Sequence, residues 1–120
     1  MALKVIVDTE YADITTDSII IRGKLRAFVN DGSFLDVWFS LKVSDRFSYH
    51  WERRHIDGTM YRHDNFPDPN WKVVSTFPKH FHNGSQDTVE ESHIDEDPAT
   101  GLRQFMDFVR SRLTYARNRT

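Results

Sequence analysis

Hydrophobic and polar side chains alternate through much of the chain, and the period becomes helical near its end. Across 18–29, SIIIRGKLRAFV, Ile19, Ile21, Leu25, Ala27 and Val29 fall on one side and Arg22, Lys24 and Arg26 on the other. A period of two is that of a half-buried strand. A turn at NDGS then leads into FLDVWFSLKV, where Leu35, Val37, Phe39, Leu41 and Val43 share a face, so the two runs predict a β-hairpin. In RFSYHWERR the aromatic residues Phe47, Tyr49 and Trp51 oppose Ser48, His50 and Glu52, and Asp57-Gly58 turns the chain into TMYRHDN. A two-residue loop there would set Arg53 opposite Arg62, a like-charge pair that an anion would relieve.

The prolines of FPDPNW demand a loop, after which KVVSTF and the histidine stretch that follows it predict one more strand. Asp97 before Pro98 is a helix start, and Leu102, Phe105, Met106, Val109, Leu113 and Ala116 recur at helical spacing over about 98–115. Strands first and one long helix last define an α+β domain spanning 1–120. A twisted antiparallel sheet of about four to six strands, within 18–94, would pack against the C-terminal helix.

Composition narrows the chemistry. The chain has 120 residues, 38% hydrophobic and 28% charged, and no cysteine, which excludes disulfides, thiolate nucleophiles and cysteine-based zinc frameworks. No apolar run reaches the roughly 20 residues of a membrane span. The first residues lack the basic-then-apolar order of a signal peptide, so a cytoplasmic location is the expectation. A net charge of −2 excludes a uniformly basic nucleic-acid binder, but the charge is uneven. Six acids lie between Asp87 and Asp97 with no Lys or Arg, while Arg103, Arg110, Arg112, Arg117 and Arg119 crowd the last twenty residues.

TFPKHFHNG places His80 and His82 two residues apart, on one side of an extended chain. With YRHDN on a neighbouring strand, Arg62, Asp64, His80 and His82 would line one patch, joined by His50 or Tyr49. Arginine stabilises charge developing on a phosphate, and a histidine pair supplies base and acid near neutral pH. RNA brings its own 2′-hydroxyl nucleophile, so no cofactor is needed. Two other readings use the same residues. Arg62 and Asp64 fit an ordinary cross-strand ladder, and His80 and His82 with His63 or Asp64 fit a His/carboxylate metal site. Arg22, Lys24, Arg26, Trp38 and Lys79 are candidate RNA contacts, through phosphate attraction and base stacking. His55 and His93 read as solvated.

The segments SYHW, the Asp57-Gly58 turn, YRHDN and TFPKHFHNG resemble the TumE-type toxin family of toxin–antitoxin systems. Arg62, Asp64 and Asn65 fit its R-x-D-N segment, and Phe77, Pro78, His80, His82 and Gly84 fit its histidine segment. FPDPNW and Lys79 depart from it, at positions where the family often carries histidine. The resemblance runs over about 18–115. It implies an intracellular toxin paired with a cognate antitoxin and directed at RNA; the site residues themselves give the expectation of a metal-independent endoribonuclease, with a His/carboxylate metal-dependent hydrolase as an alternative. A non-catalytic module that binds an antitoxin or forms a homodimer is the competing expectation, with the acidic stretch and the arginine-rich end meeting across the interface.

Overall fold

The computed structural model describes the backbone of residues 2–118 and the side chains of residues 2–115, so Ala116, Arg117 and Arg119 lie outside the described side chains. At its centre is a seven-stranded antiparallel sheet in which each strand lies beside its neighbour in sequence. The strands are β1 (Thr15–Ile21), β2 (Lys24–Val29), β3 (Phe34–Phe39), β4 (Phe47–Arg53), β5 (Thr59–Asp64), β6 (His80–Asn83) and β7 (Val89–Glu91). Helix α1 (Ala2–Glu10) precedes them, the single turn α2 (Arg54–Asp57) joins β4 to β5, and α3 (Pro98–Asn118) follows. The architecture is the expected α+β sheet with a C-terminal helix, with one strand more than the upper expectation.

One face of the sheet is covered by α1 and α3. Leu25, Ala27, Leu35, Val37, Tyr49 and Trp51 meet Leu102, Phe105, Met106 and Val109 there, all buried. Full burial of one large apolar side chain contributes roughly 1.5–3 kcal/mol, so this layer dominates the stability of the domain. The helix starts as the sequence predicts. Asp97 Oδ2 accepts from the Thr100 amide at 3.0 Å, and Pro98 occupies a position where no amide proton is needed. Gly101 lies so close to the sheet that a Cβ there would stand 2.6 Å from the Asp95 carbonyl and 2.7 Å from the Tyr49 hydroxyl.

Helix α1 is unanticipated, although Leu3, Ile6, Val7 and Tyr11 carry a helical spacing. Tyr11 and the arginines of α3 bind the two helices together. The Tyr11 hydroxyl donates to Asp107 at 2.9 Å, Arg103 pairs with Glu10 at 2.8 Å and Arg110 with Asp13 at 2.7 Å.

Four strand expectations are corrected. The run 18–29 is two strands, because Arg22 (φ 51°) and Gly23 (φ 78°) are both left-handed and form a two-residue hairpin turn. Ile19 therefore pairs with Arg26 and Ile21 with Lys24, on the face opposite Leu25. Strand β3 stops at Phe39 because Ser40 Oγ accepts from the amides of Lys42 and Val43, which leaves Leu41 and Val43 exposed. The turn α2 shifts the β4–β5 register, so Arg53 meets Thr59 and Arg62 meets His50. The Arg53–Arg62 pair does not form, and the like-charge reason for an anion there goes with it. Residues 72–79 form turns rather than strand, with Val74 buried and Val73 exposed. The histidine stretch alone forms the expected strand β6, and Val89–Glu91 adds the seventh.

Candidate active site

Among the described residues no α-helix packs on the second sheet face, and β4, β5 and β6 bring its polar residues together. Asp64 lies directly opposite His80, and Arg62 opposite His82. His50 lies opposite Arg62, and Ser48 opposite Asp64. Directly opposed residues of an antiparallel pair share a face, so Arg62, Asp64, His80, His82 and His50 form one surface. The loop from Asn65 to Lys79 folds over part of it. Asn65 fixes the start of that loop by accepting from the Phe47 amide and donating to the Asp45 carbonyl. Asp68 caps the short 3-10 turn Pro69–Trp71, which sets Trp71 beside both histidines, with ring centroids 6.3 Å from His80 and 5.6 Å from His82.

The histidine rings are held in defined orientations. His80 Nδ1 donates to the Pro78 carbonyl and His82 Nδ1 to the Gln86 carbonyl, both at 2.8 Å. Their Nε2 atoms then face Asp64, at 3.4 Å from Oδ1 and 3.9 Å from Oδ2 respectively. Asp64 Oδ1 also accepts from the Phe66 amide at 2.9 Å. All three residues are buried, with Asp64 4%, His80 1% and His82 1% exposed. Burial pushes His82 below its ordinary pKa.

Arg62 is aimed by a chain of neighbours. Its Nε–H donates to His50 Nδ1 at 3.0 Å, and His50 Nε2 donates to Glu52 at 3.0 Å. This pattern requires a neutral His50. Burial lowers its pKa, against a smaller upward pull from Glu52. The Arg54 guanidinium holds the Glu52 carboxyl far below the usual carboxylate range, so the last member of the chain stays ionised.

Arg62 and Phe66 stand where two recesses meet. One, of about 130 Å³, contains Asp64, Asp68, Trp71, His80, His82 and Gln86. The other, of about 500 Å³, runs along the open face past Lys24, Arg26, Asp36, Trp38, Ser48 and His50. Trp38 stacks on Phe66 with ring centroids 5.8 Å apart and planes at 12°. Lys24 and Arg26 both reach this groove but pair with Asp36, at 3.0 and 2.8 Å. Much of their charge is therefore balanced within the protein.

Four candidates do not join the site. Tyr49 points to the covered face, packs on Phe105 and has its hydroxyl pKa pushed up by burial. Lys79 donates to the Ile94 carbonyl at 2.8 Å, away from the open face. Arg22 occupies the β1–β2 turn, outside both recesses. His63 is likewise on the covered face, stacked on Phe81 and bonded to Ser92, and burial takes its pKa down to about 3. Sequence reasoning missed Glu52, Phe66, Asp68, Trp71 and Gln86. The proline-rich FPDPNW loop, stiff and placed between the two site strands, was the signal for three of them.

The fold is thus an α+β sheet backed by two helices, with a carboxylate–histidine cluster buried on its open polar face. The family model for the toxin TumE matches residues 2–113, and the chain belongs to that family. It is a toxin-like component of a toxin–antitoxin system. No curated protein and no solved structure matches it. No helix among the described residues is long and apolar enough to cross a membrane.

Proposed function

We propose that the chain is an RNA-cleaving toxin whose chemistry takes place on the open face of the sheet. The observation that carries this reading is the convergence of Arg62, Asp64, His80 and His82 at the end of a groove bearing basic and aromatic side chains. Arg62 holds the scissile phosphate, because a fixed guanidinium offers several donors to charge that grows in the transition state. His50 and Glu52 position Arg62. Asp64, His80 and His82 form the chemical centre. Trp38 and Phe66 present an aromatic wall for a base, and Lys24 and Arg26 the margin along which the backbone runs. A cognate antitoxin is the protein partner, and by covering this face it would keep RNA from the cluster.

The test is cleavage of defined RNA by the purified full chain and by Arg62→Ala, Asp64→Asn and His80→Ala, each verified as folded. Loss in all three, with His93→Ala active, is expected. Equal cleavage by every variant removes this cluster from the mechanism, and no cleavage of any RNA by the wild type leaves a protein-binding role.

A further inference from the structure

We propose that Asp64, His80 and His82 form a binding site for one divalent transition-metal ion, with both histidine Nε2 atoms and one carboxylate oxygen as ligands. These three ligand atoms lie within 4.8 Å of one another. Ligands about 2.0–2.2 Å from a tetrahedral ion stand about 3.3–3.6 Å apart. His80 Nε2 stands 3.4 Å from Asp64 Oδ1, which is of that size, and His82 Nε2 stands 3.9 Å from Asp64 Oδ2, so a rotation of the carboxylate together with the His82 ring brings one oxygen to both nitrogens.

Tautomers carry the argument further. Each Nδ1 faces a backbone carbonyl, which can only accept, so each neutral ring keeps its proton on Nδ1 and turns the Nε2 lone pair toward Asp64. Three acceptors then converge with no hydrogen among them. A cation resolves that conflict, and an imidazole whose other nitrogen donates to a carbonyl is the usual support for a metal-binding histidine. With an ion on both Nε2 atoms neither ring nitrogen is left for a substrate proton, so metal binding and simple acid–base catalysis by this pair exclude each other. His63, the other histidine considered from sequence, lies on the opposite face and takes no part.

Two nitrogen donors and one oxygen suit zinc, iron, manganese or cobalt better than magnesium or calcium. Three protein ligands facing a recess of about 130 Å³ leave a coordination position for water or substrate, as in catalytic rather than structural sites. Arg62 lines the same recess, so a bound anion would meet the ion and the guanidinium together. The site rests on its own geometry. Under the RNA reading, it would be the chemical centre.

The experiment uses full-length protein stripped with chelator and dialysed, with no RNA present. Titration with Zn²⁺ by calorimetry should give one ion per chain. Affinity should fall by at least about 100-fold in Asp64→Asn and His80→Ala and stay unchanged in His93→Ala. Because buried variants can unfold, ¹⁵N-histidine spectra of the wild type provide a second readout: Zn²⁺ should shift the Nε2 signals of His80 and His82 while both Nδ1 atoms remain protonated. Absence of stoichiometric binding, shifts at His93 or His55 instead, or an Nε2 proton on His80 that persists in the presence of Zn²⁺ would overturn the proposal. Metal binding without RNA cleavage sinks only the RNA reading. Cleavage that persists in chelator, with no metal bound, sinks only the metal site.

Discussion

Arg62 and His50 stand opposite each other on adjacent strands, and the arginine Nε–H donates to the imidazole Nδ1. The bond exists only while His50 is neutral, because a protonated ring would meet the guanidinium donor to donor and charge to charge. His50 has its pKa lowered, with burial as the larger cause and the arginine as a smaller one. The arrangement is therefore complete above the ordinary histidine value of about 6.5 and is lost as the pH falls through the lower folded value. Titration of the His50 ring by NMR should give a midpoint below 6.5. In Arg62→Met it should rise only part of the way back, since burial remains. Full recovery would make the arginine, not burial, the main cause.

Replacing Arg62 should affect cleavage more than binding. Removal of one fixed donor from a developing oxyanion costs about 10²–10³ in kcat. Arg62→Ala should lose about that much, while His50→Gln, which keeps a polar neighbour for the guanidinium, should lose about tenfold or less. Single-turnover cleavage at saturating RNA separates the two effects. A larger loss in His50→Gln than in Arg62→Ala would give His50 a direct role.

Lys24 and Arg26 share Asp36 as their counter-ion. If the groove takes RNA, Asp36→Asn frees both cations. RNA affinity at low salt should rise, and the slope of log affinity against log salt should steepen by about one unit for each cation freed. Filter binding across a salt series measures both. Unchanged affinity and slope would exclude the groove as the path of the RNA backbone.

A second network, on the covered side, stabilises the fold. The Trp51 indole donates to Ser33 Oγ at 2.9 Å, Ser33 donates to Asp31, and Asp31 pairs with Arg53. Ser33→Ala leaves a buried indole N–H without a partner and should cost about 1–3 kcal/mol in urea denaturation. Burial alone would raise the Asp31 pKa, but hydrogen bonds from Ser33 and Arg53 outweigh it and hold the carboxyl below its ordinary value. Its contribution is present above the unfolded value of about 3.9 and is lost as the pH falls through the folded one. Asp31→Asn should therefore flatten the acid end of the stability curve.

Gly101→Ala should destabilise although it improves helix propensity. The propensity gain is about 1 kcal/mol, whereas overpacking costs about 1–3 kcal/mol, and here one of the two colliding atoms is a backbone carbonyl. Tyr49→Phe removes the other collision, so the double variant should be more stable than the sum of the single changes. Strict additivity would place the strain at Asp95 alone.

How far the sequence could be read depends on parity. In β4 the residues of FSYHWER alternate as expected, because each side chain is either under α3 or on the open face. Across Arg22-Gly23 the alternation misleads. A two-residue hairpin pairs Ile19 with Arg26 and Ile20 with Leu25, so odd and even positions exchange faces, while the run read straight through looks like one strand. The same rule makes the site partly legible. His80 and His82 share a face by spacing alone, whereas their junction with Arg62 and Asp64 depends on the length of the loop between the strands, which sequence periodicity does not set. Tyr49 and His50 are adjacent, so one of them had to leave the patch. Helix α1 was missed despite its spacing because its nine residues carry only about two turns of the pattern, although Lys4 pairs with Asp8 one turn on.

The meander has a consequence for how such a protein can change. Lys24, Arg26, Asp36 and Trp38 all precede residue 40, while Asp64, His80 and His82 all follow residue 60. Apart from Phe66, which follows the loop with the cluster, the part of the groove that would select a substrate and the cluster that would act on it are thus inherited on separate stretches of chain. An exchange between related chains at the exposed loop 40–46 would replace the first and leave the second intact.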